Sequence, residues 1–277
     1  MTDRYAVIGN PIQHSKSPLI HGHFAQLTGQ DIEYTRIEAP LDGFLATLLA
    51  FRDGGGRGAN ITTPFKLQAF EAATERSPQA LQAGAVNAIK FLPGGGIAAD
   101  NFDGVGLVTD LQRNLGFALR GQRVLLLGAG GAARGALGPL LAGRPAALVI
   151  ANRTASKALT LATEAAALAM DTTLSGCGEG DLAGESFDLV INATSTGLTG
   201  TAPAIPPQVF RPDGLAYEMV YGRGLTPFLR LAQGAGVRRL ADGVGMLIEQ
   251  AAEVFAWWRG VRPDTRSMIT ELTVPLV

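Results

Sequence analysis

A glycine-rich turn in mid-chain has the residue types and spacing of a nucleotide phosphate site. The turn follows an apolar run at residues 124–127 and precedes a helix-compatible stretch at residues 134–141, and it comprises Gly128, Ala129, Gly130, Gly131, Ala132 and Ala133. A pyrophosphate binds backbone N–H groups at a helix N-terminus, and only small residues let the backbone approach it closely. Because the chain has 36 glycines, the string alone is also compatible with a packing turn that binds no phosphate.

A second apolar run, at residues 147–151, leads into Asn152, Arg153 and Thr154. An acidic residue roughly 20 residues after the glycines would hold the ribose 2′-hydroxyl of NAD, whereas a basic residue there suits the 2′-phosphate of NADP. We therefore interpret Arg153 as the residue that recognises the 2′-phosphate. The two segments together predict an NADP site.

Three polar groups precede the glycine turn. Ser15 and Ser17 alternate in a loop, where their hydroxyls can hold one small polyol or carboxylate. The alternative is a turn in which each serine caps its own backbone before Leu19. The other two groups are Asn60 with Thr62 and Lys66, and Asn87 with Asp103. Each has a structural alternative, because a lysine is usually a solvated cation and an Asx before glycine usually forms a turn.

The reaction considered for these side chains is carbonyl reduction, which is what the family resemblance given below implies. A ketone needs a hydride donor on one face and a proton source for its oxygen, whose negative charge grows in the transition state. The ammonium group of Lys66 can stabilise that charge and donate the proton. We expect the Lys66–Asp103 pair to position and polarise the substrate more than it titrates.

The elements that position these residues follow an α/β pattern, in which short apolar runs alternate with longer helix-like stretches. Strands are predicted at residues 5–9, 32–37, 58–61, 124–127, 147–151, 189–193 and 215–219, with a hairpin-like pair at 86–91 and 97–99. Helices are predicted at 19–28, 42–52 and 134–141, with another starting at Pro64 and an amphipathic one after Gly243. In open α/β sheets, ligands bind beyond the carboxyl ends of the strands, so we expect the chemistry where the two halves of the chain meet.

The composition favours a cytoplasmic enzyme and disfavours several other classes. The net charge of −1, from 23 basic and 24 acidic side chains, offers no electrostatic footprint for nucleic acid or an anionic membrane. The single cysteine, Cys177, cannot form an intramolecular disulfide and fits a reducing compartment, as a buried or half-buried thiol. No cluster has metal-ligand spacing, the N-terminus lacks a secretory apolar region, and no apolar run approaches the ~18 residues of a membrane span.

Ordered blocks along essentially the whole chain resemble the shikimate dehydrogenase family. The blocks are residues 9–18, 58–66, 84–87, 101–104, 127–132, 192–195, 217–221, 226–228 and 242–252. The resemblance implies an N-terminal α/β substrate domain completed by the C-terminal helix, residues 1–103 with 238–277, and a Rossmann-like NADP domain, residues 104–237. It also implies reversible hydride transfer between NADPH and 3-dehydroshikimate, in chorismate and aromatic amino-acid biosynthesis, by a monomer or homodimer.

The same resemblance implies a role for each matching residue. The catalytic pair would be Lys66 and Asp103. The substrate's hydroxyls and carboxylate would be held by Ser15, Ser17, Asn60, Thr62, Asn87, Asp103, Tyr221 and Gln250. The cofactor would contact the turn Gly128 to Ala132, the segment Asn152, Arg153, Thr154 and Lys157, and, around the nicotinamide, Thr194, Met219 and Gly243.

Three positions depart from the family's usual pattern. Phe102 and Ala88 stand where threonine is common, and Gly22 stands where asparagine is common. The departures leave the catalytic pair intact but leave quinate, or an aminated relative of shikimate, open as the substrate. Arg153 without an acidic neighbour disfavours the NAD-using quinate branch. Two further alternatives remain. A different Rossmann oxidoreductase has no reason to carry Lys66, Asn87, Asp103 and Gln250 together, and a non-enzymatic NADP sensor would tolerate loss of the catalytic pair.

Overall fold

The computed structural model describes residues 2–196 and 200–276. It divides the chain into two units, Met1–Gly106 with Ile248–Thr270 and Leu107–Leu247 with Glu271–Val277. We call them unit 1 and unit 2. The boundaries expected from the sequence, at residues 103/104 and 237/238, remain a prediction of the functional domains.

Unit 1 contains a mixed six-stranded sheet in the order β2-β1-β3-β5-β6-β4. Its strands are β1 (Asp3–Gly9), β2 (Ile32–Glu38), β3 (Gly56–Ile61), β4 (Glu75–Arg76), β5 (Ala88–Phe91) and β6 (Ile97–Asp100). The first three are mutually parallel, whereas β5 runs antiparallel to both β3 and β6. The predicted hairpin-like pair is therefore confirmed as β5 and β6, and β4 is a short strand that the sequence did not predict.

The helices of unit 1 include α1 (Ser17–Thr28), α2 (Phe44–Asp53), α3 (Lys66–Ala72), α4 (Pro78–Ala83) and α10 (Arg266–Leu272), whose last residues belong to unit 2. Helix α3 begins two residues after Pro64, where the sequence predicted its start, because residues 63–65 form a turn. One apolar cluster packs on the sheet around the stacked rings of Phe44 and Phe65, whose centroids are 4.9 Å apart. A second cluster joins Tyr5 and Trp258, stacked at 4.5 Å.

Unit 2 contains a fully parallel six-stranded sheet in the order β12-β11-β10-β7-β8-β9. Its strands are β7 (Arg123–Leu127), β8 (Ala147–Asn152), β9 (Thr173–Gly178), β10 (Phe187–Asn192), β11 (Phe210–Glu218) and β12 (Arg239–Ala241). Counted from β7, the strand order reverses between β7 and β10, which is the doubly wound order of dinucleotide-binding folds. The predicted α/β class and Rossmann-like unit are confirmed.

The helices of unit 2 include α6 (Gly131–Ala142), α7 (Ala155–Glu164) and α8 (Pro227–Gly234), and a π-helical turn spans Asp110–Asn114. The division between the units falls inside α5 (Asp103–Thr109) and α9 (Val244–Arg259). Of the predicted apolar face of α9, Ala251, Val254 and Trp258 are buried and Leu247 is half-buried. No helix in the described parts of the chain is long and apolar enough to cross a membrane.

Candidate active site

Lys66 and Asp103 form an ion pair in unit 1, with Lys66 Nζ 2.5 Å from Asp103 Oδ2. The other carboxylate oxygen, Oδ1, accepts a hydrogen bond from Asn87 Nδ2 at 2.8 Å. The same Asn87 nitrogen lies 3.3 Å from Gln250 Oε1. Four of the side chains that the sequence singled out are thus joined in one network. The Lys66 and Asp103 side chains are 32% and 18% exposed, so a ligand can reach both.

The local backbone explains why these side chains converge. Lys66 is the first residue of α3 and Asp103 the first of α5, so both sit at element ends, while Asn87 immediately precedes β5. Asn87 Oδ1 accepts the backbone N–H of Phe102 at 2.9 Å, which fixes the direction of its amide. The sequence reasoning missed Asn101, a buried residue whose Oδ1 accepts the backbone N–H of Asp103 at 3.1 Å. Its Nδ2 donates to the carbonyl of Ala85 at 3.0 Å, which ties the loop before α5 to the segment before β5.

The remaining predicted substrate residues of unit 1 lie on neighbouring segments. The Ser15 hydroxyl donates to Ser17 Oγ at 3.2 Å, and the Ser17 backbone N–H donates to Ser15 Oγ at 3.3 Å. Asn60, near the end of β3, donates from Nδ2 to the Asn87 carbonyl at 3.3 Å. Thr62 follows β3, and its backbone N–H donates to the Ile8 carbonyl at 3.0 Å. Asn60 and Asn87 are therefore linked directly, whereas the two serines form a separate pair.

The strand ends in this region require a glycine at one position. A Cβ added to Gly9 would lie 2.5 Å from Thr62 Cγ2 and 2.9 Å from Ile12 Cδ1. Gly9 therefore lets the end of β1 and the segment after β3 come together. This contact places the loop that carries Ser15 against the segment that carries Thr62.

Two of the departures from the family pattern lie in one apolar cluster. Phe102 and Ala88 both belong to the cluster around Tyr5 and Trp258. The Phe102 ring also packs on Trp257, with 5.7 Å between ring centroids. A small side chain at position 88 and a large one at position 102 thus pack in the same cluster.

His21 is a buried histidine that the sequence did not assign. Among the described residues, neither ring nitrogen has a hydrogen-bond partner. The ring stacks on Tyr34 with 4.4 Å between centroids and 6° between planes. Burial lowers the pKa of His21 to about 3, and the neighbouring Asn60 side chain opposes this shift only in part. The imidazole is therefore neutral at physiological pH and acts as an aromatic packing group.

In unit 2 the glycine-rich turn leads into the N-terminus of α6. Gly128 has a φ of +105°, and a Cβ there would lie 3.2 Å from both the Ala193 carbonyl and Thr194 Cγ2. At Gly130 and Gly131, by contrast, an added Cβ meets nothing within 4 Å among the described residues, so the space beside the turn is open. Gly131 is the first residue of α6, whose leading N–H groups have no partner within the helix and are available to an anion.

The predicted 2′-phosphate residues follow β8. Asn152 ends the strand, and its Nδ2 donates to the Thr154 carbonyl at 3.0 Å, which shapes the turn before α7. Arg153, Thr154 and Lys157 are all exposed. Two cations, Arg153 and Lys157, thus stand at the N-terminus of α7, directly after β8.

Further residues of unit 2 are held by a buried acid, Glu218. Its carboxylate accepts hydrogen bonds from Asn192 Nδ2 and Thr226 Oγ1, both at 3.0 Å, and from the backbone N–H of Val220 at 3.3 Å. Asn192 Oδ1 in turn accepts the Thr194 hydroxyl at 2.7 Å. Burial raises the pKa of Glu218, and these three donors oppose the rise. The sequence did not assign a role to Glu218, although it lies within residues 217–221, one of the segments that resemble the family.

This network orders the ends of β10 and β11, where other predicted cofactor residues lie. Met219 follows β11 and is half-buried. A Cβ on Gly243 would overlap the Met219 carbonyl, so the two backbones touch and only glycine fits. Tyr221, two residues after Met219, is 38% exposed. No group of three or more His, Cys, Asp or Glu side chains among the described residues could hold a metal ion.

The doubly wound unit and the carboxylate–lysine network define the class of the protein, an α/β dehydrogenase with a dinucleotide-binding unit. Three family models match consecutive parts of the chain. Residues 7–89 match the shikimate dehydrogenase substrate binding domain, residues 110–199 match shikimate / quinate 5-dehydrogenase, and residues 243–273 match the shikimate 5′-dehydrogenase C-terminal domain.

Relatives and solved structures agree with these matches. A shikimate dehydrogenase (NADP(+)) from Aromatoleum aromaticum is 54% identical over 98% of this chain and 96% of its own length. The crystal structure of an Ael1 enzyme from Pseudomonas putida is 58% identical, covers 100% of both chains and gives a TM-score of 0.94. Shikimate 5-dehydrogenase from Thermus thermophilus, solved with NADP(H) and shikimate, is 30% identical over 97% of this chain and 98% of that chain, with a TM-score of 0.83. The chain belongs to the shikimate dehydrogenase family.

Proposed function

We propose that this protein is an NADP-dependent oxidoreductase that reversibly reduces 3-dehydroshikimate to shikimate in the biosynthesis of chorismate and the aromatic amino acids. The observation that carries the proposal is the Lys66–Asp103 pair, whose carboxylate also accepts from Asn87, in a chain whose relatives are named for this activity. A binding protein without catalysis has no use for an accessible ion pair whose carboxylate is fixed by a further side chain.

Lys66 and Asp103 do the acid–base and positioning work of the reaction. NADPH, when bound, supplies the hydride. The Lys66 ammonium stabilises the negative charge that develops on the substrate oxygen and donates the proton that the oxygen needs. Asp103 keeps the ammonium in place from one side, and its second oxygen is itself fixed by Asn87. In the reverse direction the same lysine accepts the proton of the hydroxyl.

The other polar side chains of the candidate site bind the substrate. Ser15, Ser17 and Thr62 contribute hydroxyls, and Asn60, Asn87 and Gln250 contribute amides, which suits a ring that carries several hydroxyls and one carboxylate. Tyr221 of unit 2 completes the proposed set. A ligand that matches this many donors and acceptors is discriminated strongly, because each missing hydroxyl leaves a protein group unpaired.

The cofactor is held by unit 2. The open turn Gly128 to Ala132 and the N-terminus of α6 receive the pyrophosphate. Asn152, Arg153, Thr154 and Lys157 hold the 2′-phosphate end and select NADP over NAD. Thr194, Met219 and Gly243 lie beside the nicotinamide. The domain assignment follows, with substrate bound by residues 1–103 and 238–277 and NADP bound by residues 104–237.

Location and assembly complete the proposal. We place the enzyme in the cytoplasm, supported by its single cysteine, Cys177. It works on small molecules, as a monomer or homodimer, without nucleic-acid or membrane partners. Light scattering on the purified protein gives the assembly state directly.

A coupled assay tests the activity. Formation of NADPH is followed by absorbance with shikimate, with quinate and with no alcohol, each in the presence of NADP⁺ or NAD⁺. We expect turnover with shikimate and NADP⁺ that exceeds every other combination. Comparable rates with quinate would shift the substrate assignment to the broader class, and no NADPH with any alcohol would overturn the function.

A further inference from the structure

The edge strand β2 presents alternate side chains to the residues that we assign to the substrate. Residues two apart on a strand lie on the same face. Tyr34, Arg36 and Glu38 share such a face. Tyr34 contacts Asn60 on β3, and the other two contact the loop that carries Ser15. None of the three lies within a sequence motif, and none was predicted as a site residue.

Tyr34 controls the amide of Asn60. Its hydroxyl donates to Asn60 Oδ1 at 2.7 Å. An asparagine amide can turn over and exchange its oxygen for its nitrogen at little steric cost, so only hydrogen bonds fix which end faces a ligand. The Asn60 oxygen accepts from Tyr34 and one of its N–H groups donates to the Asn87 carbonyl at 3.3 Å, while the His21 ring lies beside the same amide. Asn60 is buried, so these contacts set which way its amide faces.

The Tyr34 ring is itself held rigidly. It stacks on the buried His21 ring, with 4.4 Å between ring centroids and 6° between ring planes. The Trp258 ring lies on it at a tilt, with 6.4 Å between centroids. Burial raises the pKa of Tyr34 well above its usual value, and the nearby Ser17 side chain opposes the rise. The phenol is therefore protonated and is a constant hydrogen-bond donor.

Arg36 holds the loop that carries the two serines. Its Nε and Nη2 both donate to the Ser15 carbonyl, at 3.1 and 2.7 Å. Two donors from one planar guanidinium fix the carbonyl in direction as well as distance. Glu38, the next residue on this face, accepts from Gln13 Nε2 at 3.3 Å. The loop is thus held by one strand at two points.

We propose that Tyr34 and Arg36 are positioning residues for substrate binding, Tyr34 by orienting the Asn60 amide and Arg36 by fixing the Ser15 loop. The inference rests on the proposed function, because it takes Asn60, Ser15 and Ser17 as substrate ligands. Neither residue touches the substrate, and both set its affinity.

The first test compares Tyr34→Phe with Tyr5→Phe. Tyr5 is the ideal control, because it lies opposite Tyr34 in the register of β1 and β2 and packs in the same aromatic cluster. Its hydroxyl contacts only Arg259 among the hydrogen bonds described, at 3.5 Å. Tyr34→Phe keeps the ring and frees the Asn60 amide, so we expect the KM for shikimate to rise about tenfold, with kcat changed less than about twofold. We expect Tyr5→Phe to leave both constants unchanged.

A double-mutant cycle separates orientation of Asn60 from a general structural effect. If Tyr34 acts through Asn60, Tyr34→Phe adds nothing to the KM in an Asn60→Ala background, because the amide it orients is gone. Additive effects would overturn the inference for Tyr34. Asn60→Ser provides the same background if Asn60→Ala does not fold.

The test of Arg36 uses Arg36→Lys, which keeps the charge and loses the two-point contact with the carbonyl. We expect a rise of about threefold or more in the KM for shikimate and no change in the KM for NADP⁺. Arg57→Lys, at an exposed arginine of the same sheet paired with Asp3, is the matched control. An unchanged KM for shikimate in Arg36→Lys would overturn the role of Arg36.

The wild-type protein separates the two levels of the proposal. If it oxidises shikimate while Tyr34→Phe and Arg36→Lys bind shikimate as well as wild type, the inference fails and the function stands. If wild type neither oxidises shikimate nor binds it by calorimetry, the proposed function fails first, and the positioning role fails with it.

Discussion

Asp103 is held between two donors, with Oδ2 2.5 Å from Lys66 Nζ and Oδ1 2.8 Å from Asn87 Nδ2. The carboxylate therefore cannot rotate without losing one of them. Because the Asp103 backbone N–H is also bound by Asn101 at 3.1 Å, both ends of the residue are fixed. This arrangement presents the lysine ammonium in one place, which is what electrostatic stabilisation of a developing charge requires.

The first prediction follows from that geometry. Lys66→Ala removes the proton donor and the positive charge, so we expect kcat to fall by about 10²- to 10⁴-fold, with a much smaller change in KM. Ser15→Ala should show the opposite pattern, a raised KM with kcat nearly unchanged. Steady-state kinetics with shikimate and NADP⁺ measures both.

Lys90→Ala is the matched control for the lysine. Lys90 lies on β5 of the same sheet and donates to the Trp257 carbonyl at 3.3 Å, outside the network of Asp103. We expect its kcat to equal that of wild type. A Lys66→Ala enzyme with wild-type kcat would contradict the catalytic assignment.

The second prediction concerns cofactor choice. Arg153→Glu replaces the proposed phosphate-binding cation with a carboxylate. The carboxylate repels a phosphate and can accept a hydrogen bond from a ribose hydroxyl. We expect the KM for NADP⁺ to rise by about 10-fold or more and the preference for NADP⁺ over NAD⁺ to fall by at least as much. Kinetics with both nucleotides measures the ratio.

Arg230→Glu makes the same charge change at another exposed position of unit 2, on α8. The ratio of the two cofactors should be the same as in wild type. Equal loss of preference in both variants would mean that Arg153 acts only through the overall charge of the unit.

The sequence predicted those parts of the fold that carry strong local signals. The apolar runs of β7 and β8 and the glycine turn before α6 each have one clear periodicity or backbone requirement, and their bounds agree closely with the prediction. Strand β9 shows why other parts were missed. Thr173–Gly178 contains two glycines and few residues that favour strands, and it is extended because it pairs with β8 at the sheet edge.

The sequence likewise predicted some residues of the candidate site and missed others. Lys66, Asn87 and Asp103 stand in recognisable blocks and were found, and the structure joins them. Tyr34 was not found, because its hydroxyl bonds to Asn60, a residue distant in the chain that only the pairing of the strands brings near. Asn101 was not found, because its role depends on loop closure, which lets its side chain bond both the Asp103 backbone and the distant Ala85 carbonyl. A polar residue within an alternating strand gives no local sign of such a role.

The third prediction concerns stability in acid. His21 is buried without a hydrogen-bond partner among the described residues, and burial lowers its pKa from 6.5 to about 3. Between pH 6.5 and about 3, His21 is therefore protonated in the unfolded chain and neutral in the folded chain. The stabilising contribution is complete above pH 6.5 and is lost as the pH falls from there towards 3, at about 1.4 kcal/mol per pH unit.

Urea unfolding of wild type and His21→Phe between pH 4 and pH 8 measures this loss. Below pH 6.5 we expect the free energy of unfolding to fall more steeply with decreasing pH in wild type than in His21→Phe. The difference in slope should correspond to the uptake of about one proton on unfolding. Phe24→Leu, a change at a buried, non-titrating position of the same helix, should lower the whole curve without altering its slope. Parallel curves for wild type and His21→Phe would show that another group governs the acid response.

The last prediction compares two glycines of unit 1. A Cβ at Gly58 would lie 2.6 Å from the Ile89 carbonyl and 2.7 Å from Trp258 Nε1, which themselves form a hydrogen bond of 3.0 Å. Gly58→Ala must therefore push strand β3 away from β5 or break the tryptophan contact. We expect a loss of roughly 1–3 kcal/mol in the free energy of unfolding.

Gly22 provides the opposite case, within helix α1. An added Cβ there meets nothing within 4 Å among the described residues, and its φ is not positive. Alanine restricts the unfolded chain and suits a helix interior, so Gly22→Ala should stabilise the protein by about 0.5–1 kcal/mol. Both variants are measured by urea unfolding at neutral pH. Because the two substitutions add the same methyl group, opposite signs attribute the difference to the space around each Cβ, and a shared sign would refute that explanation.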